Sequence, residues 1–236
     1  MNRLDIILPA YNPLPGWEEN VIKRFQSLKK AMPEHRFGLY IVNDGSQLID
    51  EEASQKMIKS SLPDLKWISY SKNRGKGYAL RQGVMQSEAD FILYTDIDWP
   101  YKEESMVGLI KKLTNEADAV IGTRDEAYYG HLPPARRRIS RLLRKINATL
   151  LRLKVDDTQA GLKGFRKNLK EYFLATTIDR YLFDLEFIYL ISKNKDLTIV
   201  GCPISLRPGI SFSKMNQSIL MEEAVNFLKI WVKGKA

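Results

Sequence analysis

The chain has 236 residues, 44% of them hydrophobic, and can therefore bury a sizeable core as one large α/β domain. Its single cysteine, Cys202, excludes an internal disulfide framework and fits a reducing compartment. Lys and Arg number 37 against 28 Asp and Glu, and the net charge of +9 favours polyanionic partners such as phosphate ligands, nucleic acid or an anionic bilayer.

Neither a signal peptide nor a membrane-spanning helix is predicted from the sequence. The apolar stretch at the N-terminus is short, and Asp5 interrupts it. No run approaches the length of about 18 apolar residues that a transmembrane helix requires. We therefore expect a cytoplasmic protein, held peripherally at the inner face of a membrane if a surface anchors it.

Strand-like runs alternate with segments of helical periodicity through the first half of the chain. The predicted strands are residues 4–8, 37–42, 66–69, 91–95 and 119–122. The predicted helices are residues 17–32, 49–60, 77–86 and 103–115. This alternation is typical of an α/β fold with a Rossmann-like, mostly parallel sheet flanked by helices.

A basic amphipathic helix is predicted in the second half of the chain, after a loop rich in Tyr and Pro. Its apolar face consists of Ile139, Leu142, Leu143, Ile146, Leu150 and Leu153, with arginines on its flanks. Such a helix either lies in a membrane interface or packs its apolar face on the sheet, and the pattern leaves both open. A strand at 162–165, a helix at 183–192 and a last amphipathic helix at about 216–232 follow.

Polar clusters follow three predicted strands, at residues 9–12, 43–46 and 96–98. Ligands of mostly parallel sheets bind beyond the carboxyl ends of the strands, so these clusters should converge on one crevice. Asp96 and Asp98 could both bind one hard divalent cation that carries a diphosphate. An acidic loop without metal is the alternative.

Two further turns have a functional and a purely structural interpretation. Gly45 permits a tight turn that would leave the Asp44 carboxylate free to accept a base N–H, or the turn has no ligand. Residues 73–77 open a helix, so backbone amides, Arg74 and Lys76 would face a diphosphate, unless this segment is simply a basic loop.

These motifs occur in the order and spacing of one known family. The segments at 8–12, 42–46, 73–79, 96–98 and 122–124 resemble the family 2 inverting glycosyltransferases of GT-A fold. Within that family, the segments at 157–165 and 183–186 look like the polyprenyl-phosphate branch, the dolichyl-phosphate mannose and glucose synthases. The resemblance covers nearly the whole chain.

The resemblance implies a donor site for a UDP- or GDP-sugar. Pro9, Tyr11 and Asp44 would frame the nucleobase and ribose, while Arg74 and Lys76 approach the diphosphate. Asp96 and Asp98 would hold Mg²⁺ or Mn²⁺, with contact of Asp96 through ribose or water as an alternative. Pro13 and Pro100 replace an acidic and a polar residue of the family pattern, which leaves the base and the full metal ligand set open.

The resemblance also implies an acceptor site for a polyprenyl or dolichyl phosphate. Arg124, Arg136 and Ser140 would contact the acceptor phosphate, and Asp157 would act as base or orient the acceptor. A phosphate monoester has a second pKa of about 6, so at neutral pH the acceptor is already mostly an anionic nucleophile and scarcely needs a base. Asp184 and Glu186 would orient the donor sugar or brace the acceptor loop, or Asp184 would serve only the start of its helix.

The sequence thus predicts a metal-dependent inverting hexosyltransferase with a single domain spanning residues 1–236. Residues 1–124 would form the nucleotide-sugar half, and residues 125–236 the acceptor half with its C-terminal amphipathic helix. An anionic membrane surface and a membrane-anchored protein are candidate partners, whereas nucleic acid is not expected. The alternatives are a transferase for a saccharide or protein acceptor and a non-catalytic module that binds anions or lipid.

Overall fold

The computed structural model describes residues 2–124, 151, 153–155, 157–158, 160–209 and 226–230. The strands are β1 (Arg3–Ala10), β2 (Arg36–Asp44), β3 (Lys66–Tyr70), β4 (Phe91–Tyr94), β5 (Ala119–Arg124), β6 (Lys163–Arg166) and β7 (Ile199–Ile204). The helices are α1 (Trp17–Ala31), α2 (Glu51–Ser61), α3 (Lys76–Gln86), α4 (Glu103–Asn115), α5 (Lys170–Leu174, after a 3₁₀ turn at Lys167–Leu169) and α6 (Phe183–Ser192).

The predicted mostly parallel α/β architecture is confirmed. Within the described residues the sheet has the order β3-β2-β1-β4-β6-β5-β7, and only β6 runs antiparallel to its neighbours. β1 lies between β2 and β4, so the direction of strand addition reverses at β1. The crevice beyond the carboxyl ends of these three strands is therefore the expected place for a ligand.

Helices cover both faces of the sheet and enclose two hydrophobic cores. Helices α1, α2 and α4 pack on one face. Helices α3, α5 and α6 pack on the other, over a core rich in aromatic rings. Phe173 of α5 lies at the centre of that core, with its ring centroid 5.2 Å from Phe165 and 5.0 Å from Phe187. The sequence prediction missed α5 and β7, which are short and carry weak periodicity.

The described residues of the second half pack inward. Leu151, Val155 and Ile230 are buried in the aromatic-rich core, and Leu153 packs against it. Leu153 is the one member of the predicted amphipathic face that the structure describes, and it contacts protein. The rest of that face, together with Arg136, Ser140 and most of the helix predicted at 216–232, lies outside the described residues. In the described part of the chain, no helix is both long and apolar enough to cross a membrane.

Replacing Phe173 by Ala should lower the free energy of unfolding by about 3–5 kcal/mol, because a large cavity opens in the aromatic-rich core. Urea unfolding followed by circular dichroism measures this change. Met85 is exposed on α3, so Met85→Ala is the control and should stay within about 0.5 kcal/mol of the natural chain. Equal stability of both variants would contradict the central place of Phe173.

Candidate active site

The loops after β1 and β2 are tied together by side chains. The Asn12 N–H donates to Ser46 Oγ at 2.9 Å, and Asn12 Oδ1 accepts from the amides of Gln47 and Leu48 at 2.8 and 3.1 Å. The Ser46 amide in turn donates to Asn43 Oδ1 at 3.0 Å. These contacts confirm that the first two polar clusters converge.

Glu51, in the first turn of α2, is a residue that the sequence prediction missed. Its carboxylate accepts from Asn43 Nδ2 at 2.9 Å, from Ser69 Oγ at 2.8 Å and from Trp67 Nε1 at 2.8 Å. One acidic side chain thereby joins the ends of β2 and β3. The only indication of Glu51 in the sequence is that acidic residues favour the first turn of a helix.

The Asp44 carboxylate is buried, with 2% of the residue exposed, and it holds the turn before α3. Oδ1 accepts from the Arg74 amide at 2.7 Å, while Oδ2 accepts from the Gly75 amide and Asn73 Nδ2 at 2.9 and 2.8 Å. The expectation that Gly45 leaves this carboxylate free is therefore wrong. Contact of Asp44 with a nucleobase stays a prediction.

The first turn of α3 is already occupied by protein. The amides of Gly77 and Tyr78 donate to the carbonyl oxygen of Asp179 at 2.7 and 3.2 Å. Arg81 of α3 holds the same loop through an ion pair with Asp179 and a 2.9 Å hydrogen bond to the carbonyl of Ile178. Of the amides at 73–77 that were predicted to face a diphosphate, that of Gly77 is taken by this loop and those of Arg74 and Gly75 by Asp44, so the prediction is wrong for these three.

The two cations of this turn remain as candidates for an anionic ligand. The Arg74 guanidinium stacks over the Tyr78 ring, 4.3 Å from its centroid. Lys76 Nζ forms an ion pair of 2.5 Å with Asp96 Oδ1. Burial lowers the pKa of Lys76, but the Asp96 and Asp184 carboxylates more than offset burial, so this pKa lies above that of a free lysine. Lys76 is therefore charged at neutral pH.

Asp98 is exposed in the loop between β4 and α4. Loss of hydration, and then the nearby charge of Asp96, raise the pKa of the Asp98 carboxyl. The loop is fixed through its backbone. Arg207 donates to the carbonyls of Asp98 and Trp99 at 2.8 and 2.7 Å, and Asn20 donates to the carbonyl of Asp98 at 2.8 Å. The sequence prediction included neither of these two donors.

Asp96 and Asp98 fit a divalent cation as a partial ligand set. Two neighbouring carboxylates supply hard oxygen ligands, and a cation between them would relieve their repulsion, which adds to loss of hydration in raising the Asp98 pKa. No cluster of three or more His, Cys, Asp or Glu that could hold a metal occurs among the described residues. Phosphate oxygens and water would therefore have to supply the other ligands.

The segment 157–161 reaches the same place from the second half of the chain. A Cβ on Gly161 would lie 2.4 Å from Asp96 Oδ2, so any larger residue here would have to displace this carboxylate. The Gly161 amide donates to Tyr101 Oη at 2.8 Å, which also fixes the backbone at this place. Sequence alone showed two separate motifs here, whereas the fold packs one directly on the other.

A scan against protein families matches Glycosyl transferase family 2 over residues 5–173. The chain belongs to this family. The resemblance on which the sequence interpretation rested is thereby confirmed.

Among curated relatives of this family 2 chain are dolichyl-phosphate beta-glucosyltransferases. That of Dictyostelium discoideum is 27% identical over 209 residues, which cover 80% of this chain and 62% of the relative. That of Homo sapiens is 28% identical over 204 residues, again 80% of this chain and 62% of the relative. The chain thus spans about three fifths of the length of these relatives.

Solved structures show the same fold at low sequence identity. Glucosyl-3-phosphoglycerate synthase from Mycobacterium tuberculosis, in complex with Mn²⁺, UDP and glucosyl-3-phosphoglycerate, has a TM-score of 0.57. It is 15% identical, and the match covers 99% of this chain and 80% of that chain. The GT-A-type fold predicted for this family 2 chain is confirmed.

The acceptor-side residues that lie in the described range form an ion pair. Asp157 is fully buried, and its carboxylate accepts from Arg124 Nε and Nη2 at 2.8 Å each and from the Arg124 amide at 2.9 Å. The sequence interpretation gave these residues separate roles, as base and as phosphate ligand. The fold instead joins them, and Arg124 donates to both oxygens of Asp157.

The other predicted site residues differ in exposure and in the contacts that they make. Tyr11 follows the end of β1 and is 53% exposed, whereas Pro9 is half-buried. Their contact with a nucleobase stays a prediction. Glu186 accepts from the amides of Thr177 and Ile178 at 2.8 and 2.9 Å and so braces the loop before α6, while its predicted role toward the acceptor loop stays a prediction. Asp184 is buried and pairs with Lys163, so it does more than begin a helix.

Replacing Asp157 by Asn should lower the free energy of unfolding by about 3 kcal/mol, because the mostly buried Arg124 loses its counter-charge while the amide oxygen can still accept. Chemical denaturation measures the loss. The double variant Arg124→Met with Asp157→Leu should recover most of it, since an apolar pair leaves no buried charge. An Asn variant of natural stability that has lost only activity would instead favour Asp157 as the base.

Proposed function

We propose that this protein transfers a hexose from a nucleoside-diphosphate sugar to a polyprenyl or dolichyl phosphate, with inversion at the anomeric carbon. One observation carries the proposal. In a family 2 chain, the Asp44-held turn, the Lys76–Asp96 ion pair and Asp98 meet at the carboxyl ends of β1, β2 and β4. Cations and carboxylates at such an edge suit a diphosphate with its counter-ion.

The donor is a UDP- or GDP-sugar, and the names of the relatives in Dictyostelium discoideum and Homo sapiens favour glucose. Asp96 and Asp98 would hold Mg²⁺ or Mn²⁺. When bound, the ion neutralises charge on the departing diphosphate. The Mn²⁺ and UDP in the structurally similar synthase from Mycobacterium tuberculosis support this assignment.

The chain's own residues position the donor and stabilise the leaving group. Lys76 stays charged through its two acidic neighbours and can exchange Asp96 for a phosphate oxygen. Arg74, exposed but stacked on Tyr78, supplies a second cation for the departing diphosphate. Such preorganised charge acts where negative charge develops in the transition state.

The acceptor phosphate is the nucleophile. One of its oxygens forms the new bond to the anomeric carbon while the bond to the nucleoside diphosphate breaks, and a phosphate ionised at neutral pH has no proton to lose. The Arg124-bound state of Asp157 agrees with a reaction without a general base at that position. Arg124, with Arg136 and Ser140 outside the described range, would recruit the acceptor phosphate.

Residues 1–124 would form the donor half and residues 125–236 the acceptor half of one domain. A lipid acceptor places the reaction at a membrane surface, so we propose a cytoplasmic, peripheral enzyme at the inner face. The +9 net charge supports attraction to an anionic leaflet, and each basic residue near the surface adds about 1 kcal/mol. A membrane-anchored partner is a second route to the same location.

The decisive assay offers a panel of UDP- and GDP-sugars to a short polyprenyl phosphate, with Mn²⁺ or Mg²⁺ and with chelator. We expect metal-dependent formation of a glycolipid, measured together with released nucleotide. Nucleotide release without glycolipid would indicate that the acceptor is a saccharide or protein and not the lipid. If no donor is turned over and none raises the melting temperature, the result would favour a non-catalytic binding module.

Replacing Asp98 by Asn should reduce glycolipid formation about 10²–10³-fold, the usual cost of losing one group that stabilises transition-state charge. The melting temperature should not fall, because Asp98 is exposed. Asp64→Asn changes an exposed acidic residue in the loop before β3 and is the matched control. Activity of the Asp98 variant at the level of the control would contradict its assignment to the metal.

A further inference from the structure

Lys163, the first residue of β6, is a completely buried lysine. Its Nζ pairs with Asp184 Oδ2 at 2.9 Å and donates to the carbonyl oxygen of Ala160 at 2.5 Å. The other oxygen of Asp184 accepts from Tyr94 Oη at 2.5 Å. Burial lowers the pKa of Lys163 although the Asp184 charge opposes that shift.

Stability alone does not explain this ion pair. The aromatic-rich core around it contains Tyr94, Phe165, Phe173, Phe183 and Phe187. Removing two charges from water costs free energy, and well-packed apolar residues in place of a buried ion pair are often neutral or stabilising. A methionine has nearly the volume of a lysine and would suit these surroundings. The pair therefore has a consequence elsewhere that apolar residues would not supply.

That consequence lies at Asp96, which the pair reaches by two routes. Through Ala160, Lys163 holds the backbone of the segment whose next residue, Gly161, packs against Asp96 Oδ2. Through its other oxygen, Asp184 accepts from the hydroxyl of Tyr94, the last residue of β4 and close in sequence to Asp96. The first route fixes the backbone beside the Asp96 carboxylate, and the second holds the strand end from which the Asp96 loop begins.

We propose that Lys163 and Asp184 are positioning residues for the donor site, holding Asp96 and Lys76 in the arrangement that accepts a metal–nucleotide. The inference rests on the proposed function and extends it, since Lys163 had no predicted role and Asp184 acts here through Lys163 and Tyr94 rather than by contact with the donor sugar. Partners that orient ligating groups typically change metal affinity or activity about 10–100-fold when they are replaced.

The test is calorimetric titration of UDP and of GDP at saturating Mn²⁺, combined with melting temperatures. Lys163→Met leaves Asp184 buried without its cation and should both destabilise the protein and weaken nucleotide binding. The double variant Lys163→Met with Asp184→Asn removes both charges and should recover the melting temperature. We expect it to bind the nucleotide about 10–100-fold more weakly than the natural chain, with donor KM raised more than kcat is lowered.

Lys170→Met is the matched control. Lys170 is also mostly buried, donating to the carbonyl of Ser87 at 2.7 Å and pairing with Glu88 at 3.3 Å, but it belongs to α5 at the opposite end of the sheet. It should leave nucleotide affinity unchanged. A double variant that recovers both melting temperature and natural affinity would overturn the positioning role alone. A natural chain that binds neither nucleotide would overturn the proposed function, and this inference with it.

Discussion

A carboxylate taken out of water requires a cation or several N–H donors, and this requirement organises the carboxyl edge of the sheet. The buried and half-buried acids there meet this requirement in two ways. Backbone amides satisfy Asp44, while Lys76, Arg124 and Lys163 neutralise Asp96, Asp157 and Asp184. Because each solution joins two loops, the same bonds that neutralise the acids also assemble the crevice. Asp98 is exposed, and its carboxyl is the one most open to a ligand.

The antiparallel strand β6 makes this assembly possible. It enters the sheet between β4 and β5, so the segment that precedes it arrives beside the loop that follows β4. Gly161 then lies against Asp96, and Lys163 reaches Asp184 from inside the core. In the proposed enzyme, the donor and acceptor halves would therefore be in direct contact at Asp96 and Gly161, which would place the reacting groups of both substrates close together.

At the N-terminus of α3, beside the crevice, the 178–179 loop occupies amides that could otherwise bind a ligand. The carbonyl of Asp179 takes the first free amides of α3, and Arg81 holds the loop in place. Those amides would otherwise attract an anion. In the proposed enzyme, recognition of a diphosphate would therefore depend on charged side chains, chiefly Lys76 and Arg74, whose attraction for the ligand falls with ionic strength.

Local patterns determined much of this protein from the sequence alone. Alternating apolar runs predicted five strands of the first half and the helices between them, since each pattern depends on residues only a few positions apart. Motif order indicated the family and brought Asp44, Lys76, Asp96 and Asp98 into one proposed site. The tertiary structure decided their partners. Arg124 and Asp157 are 33 residues apart, and Asp44 lies 31 residues from Gly75, so no local rule relates them. Only the strand order and the antiparallel β6 place such groups within hydrogen-bonding distance, because the pairing of distant loops follows from topology.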